Sequence, residues 1–510
     1  MRTRNKIIES SAVSLLAIAM LAGGTSSTHG QTPTPSFSLV GHLEQLDVND
    51  LTDPLSPGSM VVSGVRVTLP KNLLVKMPGQ YLTVNDLFRG KHPGKAPALT
   101  DPNKPSGLAL GDPVPNKPAV PFEVSVIGNI VGTEYIAGWA SISQLELQSA
   151  AGFIQSIDYA TGALFVGPGA GAAAAKVRIN DSRGTYGKPN SAKGVGSAMD
   201  DRFAADPGNA PIVSQTGFPM CIPKTDPTTT GDPECPLSNR GQGGNERRFT
   251  CGPVGAEPTA PARPSCQPDK KAPLVVGDYI TYAGMLTEES PGEWFIAAHA
   301  VSALTGIYTS PGADPAYVLI EEAILGTLGA PFPPPNDNQE ETSRFRIVGF
   351  TTDPTRRVDV FLIDTVQGDP SEQERRLTTL DPQRVGQIGR IRVTLPAKAN
   401  FLPITRDVRI RIEGHLSAKV AGGLDSGQYT APVGEYIYPE NTRWGIPRFP
   451  VSVPFENFCF LRNGGGALGT LGRDELPTTD PLRPAISPLL PFPNSGQGPQ
   501  AKADGTWSCP

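Results

Sequence analysis

The chain has 510 residues, with 44 Lys and Arg against 49 Asp and Glu, and its net charge of -5 gives no electrostatic case for nucleic acid or an anionic membrane surface. With 56 Gly, 54 Pro and 18% charged residues, the composition argues against a mainly helical protein and suits short strands joined by long turns. The length allows roughly three or four domains.

Residues 1–30 read as a signal peptide. Arg2, Arg4 and Lys6 form a basic region, Ala12 to Ala22 is apolar but too short to span a bilayer, and small residues crowd the stretch from Ala22 to Gly30. A mature chain starting between Gly23 and Gln31 is expected. No later stretch is apolar enough for a membrane span, so the mature chain is expected to lack one and to be secreted or held at the cell surface, outside the cytoplasm.

A duplicated β pattern follows, over 37–147 and 151–302. Gly41, Leu43, Leu46 and Asp47 recur in the same spacing as Gly152, Ile154, Ile157 and Asp158. Each opening leads into a second hairpin, over 60–69 in one copy and over 164–166 with 176–179 in the other. A third hairpin closes each copy. It has an alternating strand, a glycine (Gly128, Gly284), a turn and the pattern Ile-Ala-x-x-Ala at Ile136 and Ile296. This match sets His299 against Trp139. Three features in one order, twice, argue for a repeated unit. Period-two alternation in strands this short predicts a small antiparallel barrel, which closes on itself to bury enough area. Both copies are interrupted between the second and third hairpins, at 93–121 and 181–271. Loops of that length are usually functional or disordered.

The second interruption holds Cys221, Cys235, Cys251 and Cys266, while Cys459 and Cys509 stand apart. No C-x-x-C occurs, so disulfides are favoured over a metal site. Short loops close with the least entropy loss, which favours Cys221–Cys235 and Cys251–Cys266, with Cys459–Cys509 as a third pair. Residues 303–342 read as a connecting segment and linker, within which Tyr317 to Leu325 fits a strand or a short helix. Four alternating runs over 343–415 predict a β-sandwich. Residues 416–510 read as an irregular, Pro/Gly-rich C-terminal region. Leu476 to Asp480 is close to a sortase signal but has Asp where Gly is needed.

The repeated unit resembles a small OB-like β-barrel of secreted bacterial proteins. Residues 40–301 are similar to uncharacterised exported β-rich proteins of bacteria and fungi, and 343–415 resembles bacterial immunoglobulin-like modules without a cysteine core. The resemblance implies a mostly β chain: two tandem small OB-like β-barrels with long insertions, an immunoglobulin-like β-sandwich and an extended C-terminal region. It implies export and no activity.

Few residues suggest chemistry. Gly167 to Ala172 fits G-x-G-x-x-A, but only four residues separate it from the next strand-like run, so a hairpin turn is the better reading. The histidines His29, His42, His92, His299 and His415 share no helix-face spacing, and no H-E-x-x-H or G-x-S-x-G is present. Asp47, Asn49, Asp50 and Asp53 invite a calcium reading, yet Leu51 and Thr52 stand where an EF-hand loop needs oxygen and glycine, and an Asx-rich turn explains them better. Arg390 and Arg392, and Arg409 and Arg411, alternate along strands, as do Arg344 and Arg346. If those strands are neighbours they form an arginine-lined face for a polyanion; otherwise they are solvated charges. No catalytic residue, cofactor site or metal ligand is nominated. The expected role is structural or binding, with an extracellular or cell-envelope polymer or protein as partner. The alternatives are a secreted hydrolase of an extracellular polymer and a metal-dependent extracellular protein.

Overall fold

The computed structural model describes residues 36–53, 56–71, 73–78, 81–89, 105–144, 149–181, 183–189, 200–204, 208–241, 246–256, 260–328, 342–365, 372–395, 407–432, 439–440 and 490–491. The chain is mostly β and contains a closed five-strand barrel.

That barrel begins with β1 (Ser36–Val48), β2 (Gly58–Val62) and β3 (Val65–Leu69). The chain then runs through β4 (Leu74–Lys76), β5 (Tyr81–Thr83) and α1 (Val84–Arg89), and returns as β6 (Glu123–Val131) and β7 (Glu134–Ser143). β1 pairs antiparallel with β2 and β6, β2 with β3, and β6 with β7. β3 closes the ring by pairing in parallel with β7. Alternation places Leu43, Met60, Val67, Leu69, Val124 and Val126 inside, all fully buried. Farther along β7, β4 takes over the same edge in parallel.

The second copy repeats this order with β8 (Ser149–Asp158), β9 (Ala163–Gly167) and β10 (Ala175–Ile179). The insertion carries β11 (Ile212–Ser214), β12 (Met220–Cys221), β13 (Arg248–Cys251), β14 (Ala262–Arg263) and β15 (Ala272–Pro273). The third hairpin is β16 (Tyr279–Ser290) and β17 (Glu293–Ala303). β10 closes on β17 in parallel as β3 does on β7, and β11 follows on β17 as β4 does on β7. Even the irregularities recur. A bulge falls at Glu44 in β1 and at Gln155 in β8. A second falls opposite Gly128 in β6 and opposite Gly284 in β16. Glycine is required there because a Cβ would run into the carbonyl oxygen of Ile136 or of Ala297. Bulges bend a strand and raise its twist, which helps a five-strand sheet close.

The pairing corrects one expected match. Val67 opposes Tyr135, and Val177 opposes Ile296, so the third hairpins align one residue away from their shared Ile-Ala-x-x-Ala pattern. His299 is the extra residue of its bulge and corresponds to Gly138, not to Trp139. Small apolar residues crowd both strands, so the pattern fits either register and only the pairing decides.

After β18 (Gly306–Thr309) come β19 (Val318–Leu328), β20 (Thr342–Thr351), β21 (Val358–Thr365), β22 (Glu372–Leu380), β23 (Arg390–Leu395), β24 (Asp407–Ile412), β25 (Gln428–Pro432) and β26 (Pro439–Glu440). The run from Tyr317, undecided between strand and helix, is therefore largely strand. Among the described residues these form two four-stranded sheets, β23-β20-β19-β26 and β22-β21-β24-β25. Ile347 and Ile391 of one, and Val360, Leu362, Val408 and Ile410 of the other, are buried in one apolar cluster. β19 and β25 lie on either side of the 343–415 stretch expected to hold the sandwich. An isolated bridge ties Leu490 back to Lys71, just past β3.

Candidate functional site

Much of the insertion between β10 and β16 is interior. Phe218, Met220, Ile222, Phe249 and Leu274 are buried in the same apolar cluster as Ile154, Val177, Ile280 and Val301 of the second barrel. Two disulfides pin it, Cys221–Cys235 across 14 residues and Cys251–Cys266 across 15. A loop of that size is worth about 3 kcal/mol of lost freedom in the unfolded chain. Asn239 has no exposed surface; its amide donates to the carbonyls of Gln267 at 2.7 Å and Lys270 at 3.0 Å and accepts the Gln267 N–H at 2.8 Å. Next to it Arg240 bonds Asp278 at 2.6 Å. Burial raises the Asp278 carboxyl above the usual carboxylate range, with Arg240 opposing.

The near end of the insertion reaches the first barrel. Arg202 donates to the carbonyls of Leu87 and Ser106, the latter at 2.7 Å, while Asp200 holds its guanidinium. Phe203 lies on Phe122 with ring centroids 4.9 Å apart.

The insertion buries a lysine. Lys271 is 3% exposed, and its ammonium sits 5.7 Å from the Tyr186 ring centroid. Among the described residues no hydrogen-bond acceptor reaches it. Burial lowers its pKa, with Glu234 opposing, and burial raises that of the Tyr186 phenol. Tyr317 donates to the Pro268 carbonyl at 2.7 Å, and a Cβ on Gly422 would stand 3.7 Å from the Lys271 Nζ. The amine lies over the Tyr186 ring, and no carboxylate or imidazole among the described residues bonds to it.

The other nominated residues scatter. His299 is partly buried at its bulge, where burial brings its pKa down to about 4. The His415 Nε2 accepts the Ala316 N–H at 3.1 Å and lies 3.2 Å from Asp314, and His42 is exposed on β1. The acidic residues near Asp50 turn to different partners: Asp50 caps Thr52, Asp53 meets Lys71 at 2.7 Å, and Asp47 meets Arg66 at 3.4 Å. The glycine-rich loop after Gly167 joins two antiparallel strands, β9 and β10. Arg346 on β20 and Arg390 and Arg392 on β23 stand on neighbouring strands and share one face. Arg390 and Arg392 lie on β23, in one sheet, and Arg409 and Arg411 lie on β24, in the other. Arg409 and Arg411 converge instead on Glu374, each at 2.6 Å. Period two fixes a face within one strand but not which sheet the strand joins. His29, His92, Cys459, Cys509, the signal segment and the sortase-like run lie outside the described residues.

A feature that sequence reasoning missed is a row on the outer wall of the second barrel. Phe153 on β8 opposes Tyr279 on β16, and the Leu304 N–H, just past β17, donates to the Tyr279 carbonyl at 2.9 Å. Paired residues share a face, so the three side chains stand side by side. Phe153 is 36% exposed and Leu304 49%, and the Phe153 and Tyr279 rings meet edge to face at 5.0 Å. Beyond Phe153 the row ends on Gly167, over which the Gln155 amide lies. Val276, 57% exposed, stands in the turn before β16. The first barrel carries His42, Glu123 and Ser143 at the matching places, an ordinary wet wall. The signal lay in the duplication: comparing the copies residue by residue exposes the change from polar to apolar.

Arg247, exposed, lies by the end of this row, where its carbonyl accepts the Gly306 N–H at 2.7 Å. Lys176 and Arg178 both bond Glu289, and Arg178 also lies 5.3 Å from the Phe295 ring centroid. No protein-family model matches the sequence, and no curated protein is similar to it.

Proposed function

We propose that the chain is an exported, non-catalytic binding protein of the cell surface or extracellular matrix, with an extracellular or cell-envelope polymer or protein as partner. The observation that carries this reading is the exposed apolar row Phe153–Tyr279–Leu304, present in one copy of a repeated barrel and replaced by His42, Glu123 and Ser143 in the other. A scaffold requirement acts on both copies alike, and a ligand acts on one. Contiguous apolar residues exposed on a folded surface mark interaction sites.

The strand order supports an OB-like reading of both barrels. Each ring runs first, second, third, fifth and fourth strand and back to the first, a five-stranded Greek-key barrel. The two facing sheets that follow support an immunoglobulin-like module. Export accords with the two disulfides, which persist in oxidising compartments, and with the basic and apolar N-terminal stretch. Recovery of the mature protein from culture fluid or washed cells, N-terminal sequencing, and a pull-down against envelope and matrix fractions test the reading. A start between Gly23 and Gln31 and saturable retention on one fraction are expected. A chain starting at Met1 inside the cell, or no retention on any fraction, contradicts it.

A further inference from the structure

We infer that the outer face of β20 and β23 is a docking surface for an acidic polysaccharide. This rests on the reading of the chain as an extracellular binding protein and names a second surface, apart from the Phe153–Tyr279–Leu304 row. Arg390 opposes Phe350, Arg392 opposes Val348 and Arg346 opposes Thr394, so the three arginines stand on one face. Ile347 and Ile391 alternate with them and are buried in the apolar cluster, which sets the arginines on the side away from the core. Arg392 is exposed, and so is 41% of the Arg346 side chain. Arg390 and Arg392 are about 7 Å apart along the strand, and Arg392 and Arg346 form a diagonal of about 7–8 Å. Positive charge therefore recurs in nearly even steps over roughly 14 Å, as suits a linear polymer with repeated acidic groups.

The other sheet of the sandwich gives a contrast. There Arg376 bonds Asp359, and Arg409 and Arg411 bond Glu374. On the β20–β23 face Arg346 has a carboxylate partner, Glu322 at 3.1 Å. Arg390 instead bonds the uncharged amide of Gln387, and Arg392 has no ion-pair partner among the described residues. Burial raises the Glu321 carboxyl above its usual range, with Arg390 opposing, and the two form no ion pair. Three arginines against two glutamates leave the face positive, with the charge centred on Arg390 and Arg392. An arginine fork matches a carboxylate or similar oxyanion. The apolar residues opposite these arginines, Val348 and Phe350, are only 3% and 5% exposed. Among the described residues the face therefore offers no ring for stacking bases, which single-stranded nucleic acid needs. It also offers no apolar centre, which a stable protein interface needs. An acidic glycan requires neither.

Arg390→Gln with Arg392→Gln removes the two charges that lack a carboxylate. Arg357→Gln with Arg376→Gln is the control, because it removes the same charge from exposed arginines already paired with Glu413 and Asp359. The full chain and both variants are titrated against polygalacturonate, dextran sulfate, neutral dextran and single-stranded DNA, at low and high salt. The wild type is expected to bind at least one of the two acidic polysaccharides at low salt, to release it at high salt and to ignore neutral dextran. Affinity should fall about tenfold in the first variant, the loss of two exposed charge contacts, and less than about twofold in the control. Matching unfolding midpoints confirm intact folds. Arg392→Gln alone, at an exposed position, serves if the double variant does not fold, with an expected loss of about threefold.

Equal affinity of the wild type and the Arg390→Gln, Arg392→Gln variant overturns the proposal. So does an equal loss in both variants, because net charge alone then drives binding. Tighter binding of single-stranded DNA than of either acidic polysaccharide, lost in the same variant, assigns the face to nucleic acid instead. If envelope or matrix fractions retain a wild type that binds neither acidic polysaccharide, this inference falls and the binding-protein reading survives. If no fraction retains it either, both fall.

Discussion

Phe203 lies flat against Phe122, with centroids 4.9 Å apart and planes 10° from parallel. One residue belongs to the insertion of the second barrel and the other immediately precedes β6 of the first, so the insertion is an internal strut of the molecule. Its neighbour Arg202 adds hydrogen bonds to Leu87 and Ser106. Truncation of the fully buried ring by Phe203→Ala should cost about 3–5 kcal/mol. Replacement of 184–270 by a Gly/Ser linker should prevent folding altogether, because it also removes Phe218, Met220, Ile222 and Phe249 from the core. Urea denaturation followed by tryptophan fluorescence checks both; a folded deletion variant would contradict the interior role.

The paired bulges make a second prediction. Gly284→Ala puts a Cβ 2.5 Å from the Ala297 carbonyl oxygen, and backbone on both sides leaves little room to give. A cost of about 1–3 kcal/mol is expected, with Gly128→Ala behaving alike. Gly169→Ala, in the open hairpin loop with nothing within 4 Å, should stay within about 0.5 kcal/mol of wild type. Thermal midpoints of the three variants measure the contrast.

Each disulfide should contribute about 3 kcal/mol through its short loop. Cys251 and Cys266 lie in the barrel's own apolar cluster, so Cys251→Ser with Cys266→Ser should destabilise the barrel as well as the insertion. Parallel urea titrations with and without reductant give the size of the effect. An unchanged midpoint would show that the crosslinks are dispensable.

His299 predicts an acid sensitivity. Burial holds its folded pKa at about 4 against 6.5 for a free imidazole. The unfolded chain therefore takes up the proton first as pH falls. Stability from this group is intact above about 6.5, declines between 6.5 and 4, and is flat below, a total of about 3 kcal/mol. His299→Gln should remove that slope, which denaturation midpoints at pH 7, 5.5 and 4 would register. An identical slope in the variant would assign the acid loss to other groups.

Much of the architecture was legible because the repeat carried it. Gly41, Leu43 and Asp47 against Gly152, Ile154 and Asp158 aligned the first strands in the register that the pairing adopts, and the neighbouring cysteines pair as short loops favour. Other features depend on pairing, which a linear pattern does not contain. Ala137 and Ala140 against Ala297, Ala298 and Ala300 look alike in two registers, so the bulge at His299 was hidden. Met220, Phe249 and Leu274 lie in short apolar stretches broken by Pro, Gly and charged residues, too short for a period to mark them as core. Arg390 and Arg409 alternate alike on strands that join different sheets. The apolar row joins β8, β16 and the residue after β17, three places that are far apart in the chain.

The central claim is that the second barrel binds an extracellular partner through one row of its wall. Hydroxyl-radical footprinting of the mature protein, alone and on the envelope or matrix fraction that retains it, tests this most directly. Phe153, Tyr279 and Leu304 should lose most of their labelling on binding, while His42, their counterpart on the first barrel, keeps its own. Unchanged labelling of Phe153, Tyr279 and Leu304 in the retained protein, or protection confined to the sandwich, would contradict the claim.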